Sequence, residues 1–177
     1  MSKKTSTIFY IFIIAAIVAT RLLPHLWNFA PITAVAIFAG MYLPKKQALA
    51  LPLAARFVSD LFLGFFSPVL MLAVYFCHLF GAALGIWVRK DKSLTRVIGA
   101  PVISAAVFFF ITNFAWFYST YPHNLSGIIL AYTNGLPFLR GTLLGDVAYT
   151  LALVGGYEAV LYYQARRAGV SKVLQKV

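Results

Sequence analysis

Ser67-Pro68-Val69-Leu70-Met71-Leu72-Ala73-Val74-Tyr75-Phe76-Cys77-His78-Leu79-Phe80-Gly81-Ala82-Ala83-Leu84-Gly85-Ile86-Trp87-Val88 carries no formal charge, and Arg89-Lys90-Asp91-Lys92-Ser93-Leu94-Thr95-Arg96 ends it abruptly. Ser67 reads as an N-cap and Pro68 as the first helical residue, so a helix opens there and runs to Val88. About 20 apolar residues in a helix span the roughly 30 Å hydrocarbon core of a bilayer. The basic loop behind it is short, and short basic connections stay on the cytoplasmic side.

The rest of the chain repeats that pattern. Apolar spans are expected at about 7–23, 31–43, 47–65, 68–88, 99–118 and 142–163. Of the 15 Lys and Arg residues, all but Arg21, Arg56 and Arg140 lie in the N-terminus, two connections or the tail. With the N-terminus inside, six crossings return Lys3-Lys4, Lys45-Lys46, the Arg89–Arg96 loop and the Arg166-Arg167 tail to one face. The fold class is therefore an all-α membrane bundle of about six helices forming a single domain. Both termini are expected in the cytoplasm, at the inner membrane of a bacterium.

Composition agrees. The 177 residues are 62% hydrophobic and 11% charged, with a mean hydropathy of +0.85. A soluble domain of that size cannot hide so much apolar surface. The net charge of +11 caps apolar spans and lines no single face, which points to a membrane surface and away from nucleic acid. Cys77 is the one cysteine and has no ligand partner at metal spacing, so neither a disulfide nor a metal site is expected. The run 8–19 behind Lys3-Lys4 resembles a secretory signal, but no small-x-small cleavage site follows. It reads as a retained first helix.

Two stretches are irregular. Pro24-His25-Leu26-Trp27-Asn28-Phe29-Ala30-Pro31 forms an outer loop before a second span of roughly 20 Å, too short for the bilayer. Either that span starts earlier or the loop dips into the membrane. Residues 119–140 hold Asn134-Gly135 and Pro137, read as breakers, so this piece is expected to be interfacial or re-entrant.

Polar groups inside apolar spans are costly and commonly functional. Arg56 and Asp60 stand four apart on one face of span three, roughly 13 and 20 Å deep. They are either a neutralised structural pair or part of a site. Arg-before-Asp is the poorer intrahelical order, which sends both toward partners on other helices or a ligand. Asp146 opens span six, favoured there by the helix dipole or by a site. Tyr149, Leu153 and Tyr157 share its face, as core packing or as a pocket wall. His78 faces Gly81 and Gly85 and is either hydrogen-bonded between helices or a ligand contact. Asn28 and Asn113, at outer ends, can donate and accept toward a solute. Arg140 either snorkels to the headgroups or joins the site. Glu158 lies on the inner side and is expected to pair near Arg166-Arg167 or with a partner protein.

No G-x-x-x-x-G-K-[ST], H-E-x-x-H or G-x-S-x-G motif is present, so no catalytic residue and no cofactor is expected. Small-xxx-small pairs recur: Ala15 and Ala19, Ala36 and Gly40, Gly81 and Gly85. Such faces let helices approach closely in lipid. The strip Ala15, Ala16, Ala19, Thr20 opposes bulky residues on the same helix, which suits an outside partner.

The stretches Asn28-Phe29-Ala30-Pro31 to Ala36-Ile37-Phe38-Ala39-Gly40, Leu43-Pro44-Lys45-Lys46, Ser59-Asp60-Leu61-Phe62-Leu63-Gly64, Thr112-Asn113-Phe114 and Arg140-Gly141-Thr142-Leu143-Leu144-Gly145-Asp146 resemble an uncharacterised family of small bacterial membrane proteins. In layout the chain is also similar to the substrate-binding S subunits of energy-coupling factor transporters. That likeness implies an outward pocket for a vitamin-like solute and a coupling subunit with ATPases on separate chains. Ala15 and Ala19 match the strip by which such subunits dock. Residues 1–6 lack the histidine of the metal-ion members, which disfavours a metal. The expected function is a small-solute binding and transport subunit with a pocket of Asn28, Arg56, Asp60, Asn113 and Asp146. His78, Tyr149 and Arg140 are further candidates. The alternatives are an intramembrane enzyme using His78 or Asp60 in proton transfer, or a scaffold without chemistry.

Overall fold

A computed structural model describes the backbone of residues 3–23 and 28–174, and the side chains of 11, 13–23 and 28–167. Residues 24–27 of the outer loop and the side chains of Lys3, Lys4, Lys172 and Lys176 lie outside that description. The described chain is helical: α1 (Lys3–Leu22), α2 (Ile32–Tyr42), α3 (Lys45–Leu63), α4 (Pro68–Val88), α5 (Leu94–Thr112), a short 3-10 turn (Ala115–Phe117) and α6 (Leu125–Leu174).

The short second helix is the centre. Its sequence ITAVAIFAGMY is apolar all round, which is the signature of a helix buried on every side. Every residue from Ile32 to Met41 is buried, with α3, α4, α5 and α6 packed around it. The tightest neighbour is α4. A Cβ on Gly40 would collide with the Ala82 carbonyl, and one on Gly85 with the Ile37 carbonyl. The two small-xxx-small faces expected from the sequence therefore meet each other. Arg89, one residue past α4, turns back and donates to the carbonyls of Gly40 and Leu43. A guanidinium there satisfies orphan acceptors at the negative end of α2.

Eleven residues make about 16 Å of helix, so α2 cannot cross a bilayer by itself. The preceding segment makes up the difference. Phe29 packs on Tyr149 with ring centroids 5.2 Å apart, and its Cα sits against Gly145 of α6. The described part of the loop at Phe29 thus packs against the bundle.

Among the described residues, three helices are long and apolar enough to cross a membrane: α4, α5 and the 125–167 part of α6. Shorter apolar helical stretches are Ile13–Leu22 and Ile32–Tyr42. Large apolar side chains such as Phe62, Leu72, Phe76, Phe110, Ile129 and Tyr162 cover the outside, while Ser59, Asp60, His78, Ser104, Thr142, Asp146 and Thr150 are inside. Burial of polar groups beneath an apolar exterior suits lipid as the solvent.

Two expected boundaries move. Helix α5 occupies 94–112 instead of 99–118, with Pro101 inside it. Thr112 and Asn113 end it by turning their side chains onto the carbonyls of Phe108 and Phe109. The separate interfacial or re-entrant piece expected before span six is instead continuous with it. Asn124 opens α6 by accepting from the Gly127 amide at 3.0 Å. Pro137 is accommodated inside. Gly135, read as a breaker, marks a close approach where a Cβ would strike the Asn113 side chain. Contacts with α5 outweigh local breaker chemistry here.

Overpacking a tight contact costs about 1–3 kcal/mol. Gly85→Ala should therefore lower the melting temperature of the detergent-solubilised protein. Gly155→Ala, where an added Cβ meets nothing within 4 Å, should leave it level or raise it slightly. Equal melting of the two variants would show that the α2–α4 contact tolerates a methyl group.

Candidate functional site

The half of the bundle away from the Arg89–Arg96 connection collects the buried polar groups. Three helix ends meet there: the last turn of α1 with Arg21, the first turn of α2 with Thr33 and the last turns of α3 with Arg56, Ser59 and Asp60. Asp60 is the hub. Its Oδ1 accepts from Arg21 Nη1 at 2.8 Å and its Oδ2 from Arg56 Nε at 2.8 Å. Arg21 also donates to Ser59 Oγ, and Tyr75 reaches Asp60 Oδ2 at 3.4 Å. The intrahelical Arg56–Asp60 pair does form, despite the unfavourable order. Asp60 takes its second partner from another helix, as the order suggested.

A cavity of about 160 Å³ opens beside this cluster, lined by Arg21, Asn28, Thr33, Arg56, His78, Thr142 and Asp146 among others. Neither ring nitrogen of His78 has a hydrogen-bond partner among the described residues, and Asp146 Oδ2 and the Thr150 hydroxyl are likewise unpartnered. The Thr33 hydroxyl serves the Asp146 carboxylate. Buried polar atoms without partners are rare in native structures and call for water, an ion or a ligand. Among the described residues His78 therefore makes none of the interhelical hydrogen bonds that its glycine face suggested. Its ring instead lies near that of Phe108, with centroids 6.1 Å apart.

A second, larger cavity of about 420 Å³ lies toward the α5–α6 connection, with Phe66, Phe108, Tyr118, Tyr121 and Phe138 as apolar walls and Asn28, Asn113 and Asn134 as amides. Asn28 and Phe108 line both cavities. Asn28 has a left-handed backbone (φ 57), which asparagine tolerates better than most residues. Tyr118 donates to the Thr112 carbonyl at 2.7 Å. Burial, with Tyr121 beside it, holds the Tyr118 hydroxyl above the ordinary phenol range.

The candidates from the sequence separate in place. Arg56 and Asp146 line the inner cavity, Asn113 the outer one and Asn28 both. Asp60 lines neither and stands behind its two arginines. Tyr149 packs on Phe29, and Tyr157, itself exposed, on Phe38 and Tyr42, and neither lines either of these cavities. Arg140 is exposed on α6. Glu158 pairs with Lys92 at 2.6 Å and accepts from Tyr42. It does not pair with Arg166-Arg167, which lie about two turns further along the same helix. The sequence underweighted Arg21, Thr33 and Thr142. Arg21 was visible as a basic residue outside every basic cluster, but its partner is 39 positions away.

A family model, described as a family of unknown function (DUF6580), matches residues 1–169. The chain belongs to the DUF6580 family. No curated protein and no solved structure matches it.

Removing Asp60 would leave two guanidiniums facing each other in an apolar interior, and breaking a buried pair costs about 3–5 kcal/mol. Asp60→Asn should destabilise the protein by that order. Adding Arg21→Gln should recover part of the loss, measured as a double-mutant cycle on thermal or denaturant unfolding. Additive losses would mean that Arg21 and Asp60 are not coupled.

Proposed function

We propose that the chain is a membrane-embedded subunit that binds a small solute from the outer side and serves its transport, energised by a separate partner. The observation that carries this reading is the pair of neighbouring cavities, the inner one lined by His78 and Asp146 with polar atoms that nothing in the described protein satisfies. Solute sites are concave, with a few convergent polar groups in apolar walls. A helical bundle places them between its helices.

The threading belongs to the same reading. Lys92 bonds Glu158, and Arg89 bonds the Gly40 and Leu43 carbonyls just before Lys45-Lys46. The two connecting basic clusters thus share one end of the bundle, and the Arg166-Arg167 end of α6 continues past it. That end is cytoplasmic under the positive-inside rule. Six crossings then leave both termini inside a bacterial inner membrane and the larger cavity toward the outside. Reagents from outside should label Asn124→Cys in a Cys77→Ser background and should not reach Ser2→Cys or Ser171→Cys. Outside labelling at either terminal position would break this topology.

The coupling partner is the S-subunit-like part of the reading. Ile17 of α1 packs into the core with Ile13 and Ile14 beside it, whereas Ala15, Ala16 and Ala19 are exposed. In lipid, helix association depends on close van der Waals contact, so one large side chain holds helices apart. Ala19→Trp should leave the purified protein folded and able to bind solute but abolish uptake and co-purification with a coupling subunit. Turnover by the purified protein alone would favour the enzyme reading at His78. Loss of folding would place the strip inside the bundle.

A further inference from the structure

We infer that the inner cavity receives an anionic group between Arg21 and Arg56, and that the same solute turns a hydrogen-bond donor toward Asp146 and His78. The inference rests on the solute-binding reading and names the chemistry of its ligand.

The charge count carries the first half. Arg21 and Arg56 share one carboxylate, Asp60, so the cluster keeps one positive charge in excess. The Asp60 side chain is 1% exposed, against 12% and 14% for the two arginines, and only the arginines line the cavity. The acid is sealed behind them and the cations face the empty volume. Asp146 makes no ion pair among the described residues, so it does not neutralise the excess. Asp60 occupies one nitrogen of each guanidinium, Arg21 Nη1 and Arg56 Nε. Each fork retains further N–H groups of the kind that recognise a carboxylate or phosphate. A bound anion would balance the charge of the Arg21–Arg56–Asp60 cluster.

The second half rests on the facing wall. Asp146 Oδ2 accepts nothing from the described protein, and His78 offers one nitrogen as donor and one as acceptor, both unpartnered. A hydroxyl or amine on the solute fits that wall. Size adds a third constraint. About 160 Å³ holds roughly one six-membered ring, so a larger solute extends past Asn28 and Phe108 into the aromatic outer cavity. The ligand class is a small organic acid with a hydroxyl or amino group near the acid and an apolar or ring portion beyond it.

The test uses the full chain purified in detergent and dialysed into low-salt buffer, with binding read by thermal shift and calorimetry. Three probes of one shape divide the claims: mandelate (acid, hydroxyl and ring), phenylacetate (acid and ring) and 1-phenylethane-1,2-diol (hydroxyls and ring, neutral). Mandelate should bind most tightly, with a Kd at least about tenfold below that of the diol. Arg56→Gln should weaken both acids by about tenfold or more, and Arg56→Lys should weaken them less. Asp146→Asn should shrink the advantage of mandelate over phenylacetate while leaving phenylacetate nearly unchanged. Each variant is first shown to be folded by its helical circular dichroism and monodisperse elution, and Arg56→Lys serves where Arg56→Gln fails to fold.

Equal binding of diol and mandelate would overturn the anion assignment while leaving a solute-binding cavity, so the two readings part at that result. Equal protection by chloride alone would overturn the organic-acid class. No protection by any probe on folded protein would overturn the inference entirely, leaving the transport reading to the uptake experiment.

Discussion

Backbone contact between α2 and α4 at Gly40 and Gly85 is the constraint on which the rest of the bundle depends. A helix of 11 residues, buried from Ile32 to Met41, needs neighbours on every side. One of them comes close enough that neither facing position has room for a methyl group. In lipid this closeness replaces hydrophobic expulsion as the source of association. It also sets where the polar groups lie. Because α2 is short, its N-terminal end stops inside the bundle, and the depth it leaves unfilled is occupied by the Phe29 segment and the inner cavity. Its other end is held by Arg89, which gives a residue of the basic α4–α5 connection a structural task.

The charged cluster shows how a polar interior can be tolerated under an apolar exterior. Asp60 is nearly sealed and fully engaged, so its ionised form is surrounded by donors from two helices and by Tyr75 of a third. Asp146 of α6 is served by the Thr33 hydroxyl and keeps one oxygen unpartnered among the described residues. Two carboxylates in one half of the bundle are thus treated oppositely: one is satisfied and silent, the other unsatisfied and facing a cavity. That contrast, more than the presence of charge, separates a framework residue from a candidate ligand contact.

Much of this was legible in the sequence. The extent of α4, its Pro68 start and the glycine faces follow from hydropathy, proline position and residue size, whereas α5 starts five residues earlier than expected. Arg56, Asp60, Asp146 and His78 announce themselves as polar groups within apolar stretches. What stayed hidden depends on long-range geometry. Arg21 and Asp60 are joined across 39 positions, and no local pattern encodes that pairing. The first part of α6 was misread because Asn134-Gly135 and Pro137 are breakers in isolation, while the structure uses Gly135 as a contact point on α5. The split of the candidates into two neighbouring cavities could not be read from spacing, since it depends on which side of Asn28 and Phe108 each residue falls.

Helix α6 runs unbroken for 50 residues, about 75 Å of helix against roughly 30 Å of hydrocarbon. Along that length it carries Asn134 and Phe138 at the outer cavity, Thr142 and Asp146 at the inner one, and Glu158 beside Lys92 at the far end. It is a rod that touches every compartment of the protein in turn. A tilt of about 5° about its middle moves each tip by about 3 Å. Mechanically, then, residues at both cavities and Glu158, the partner of Lys92, sit on one continuous lever, so a tilt at one of them is a displacement at the others.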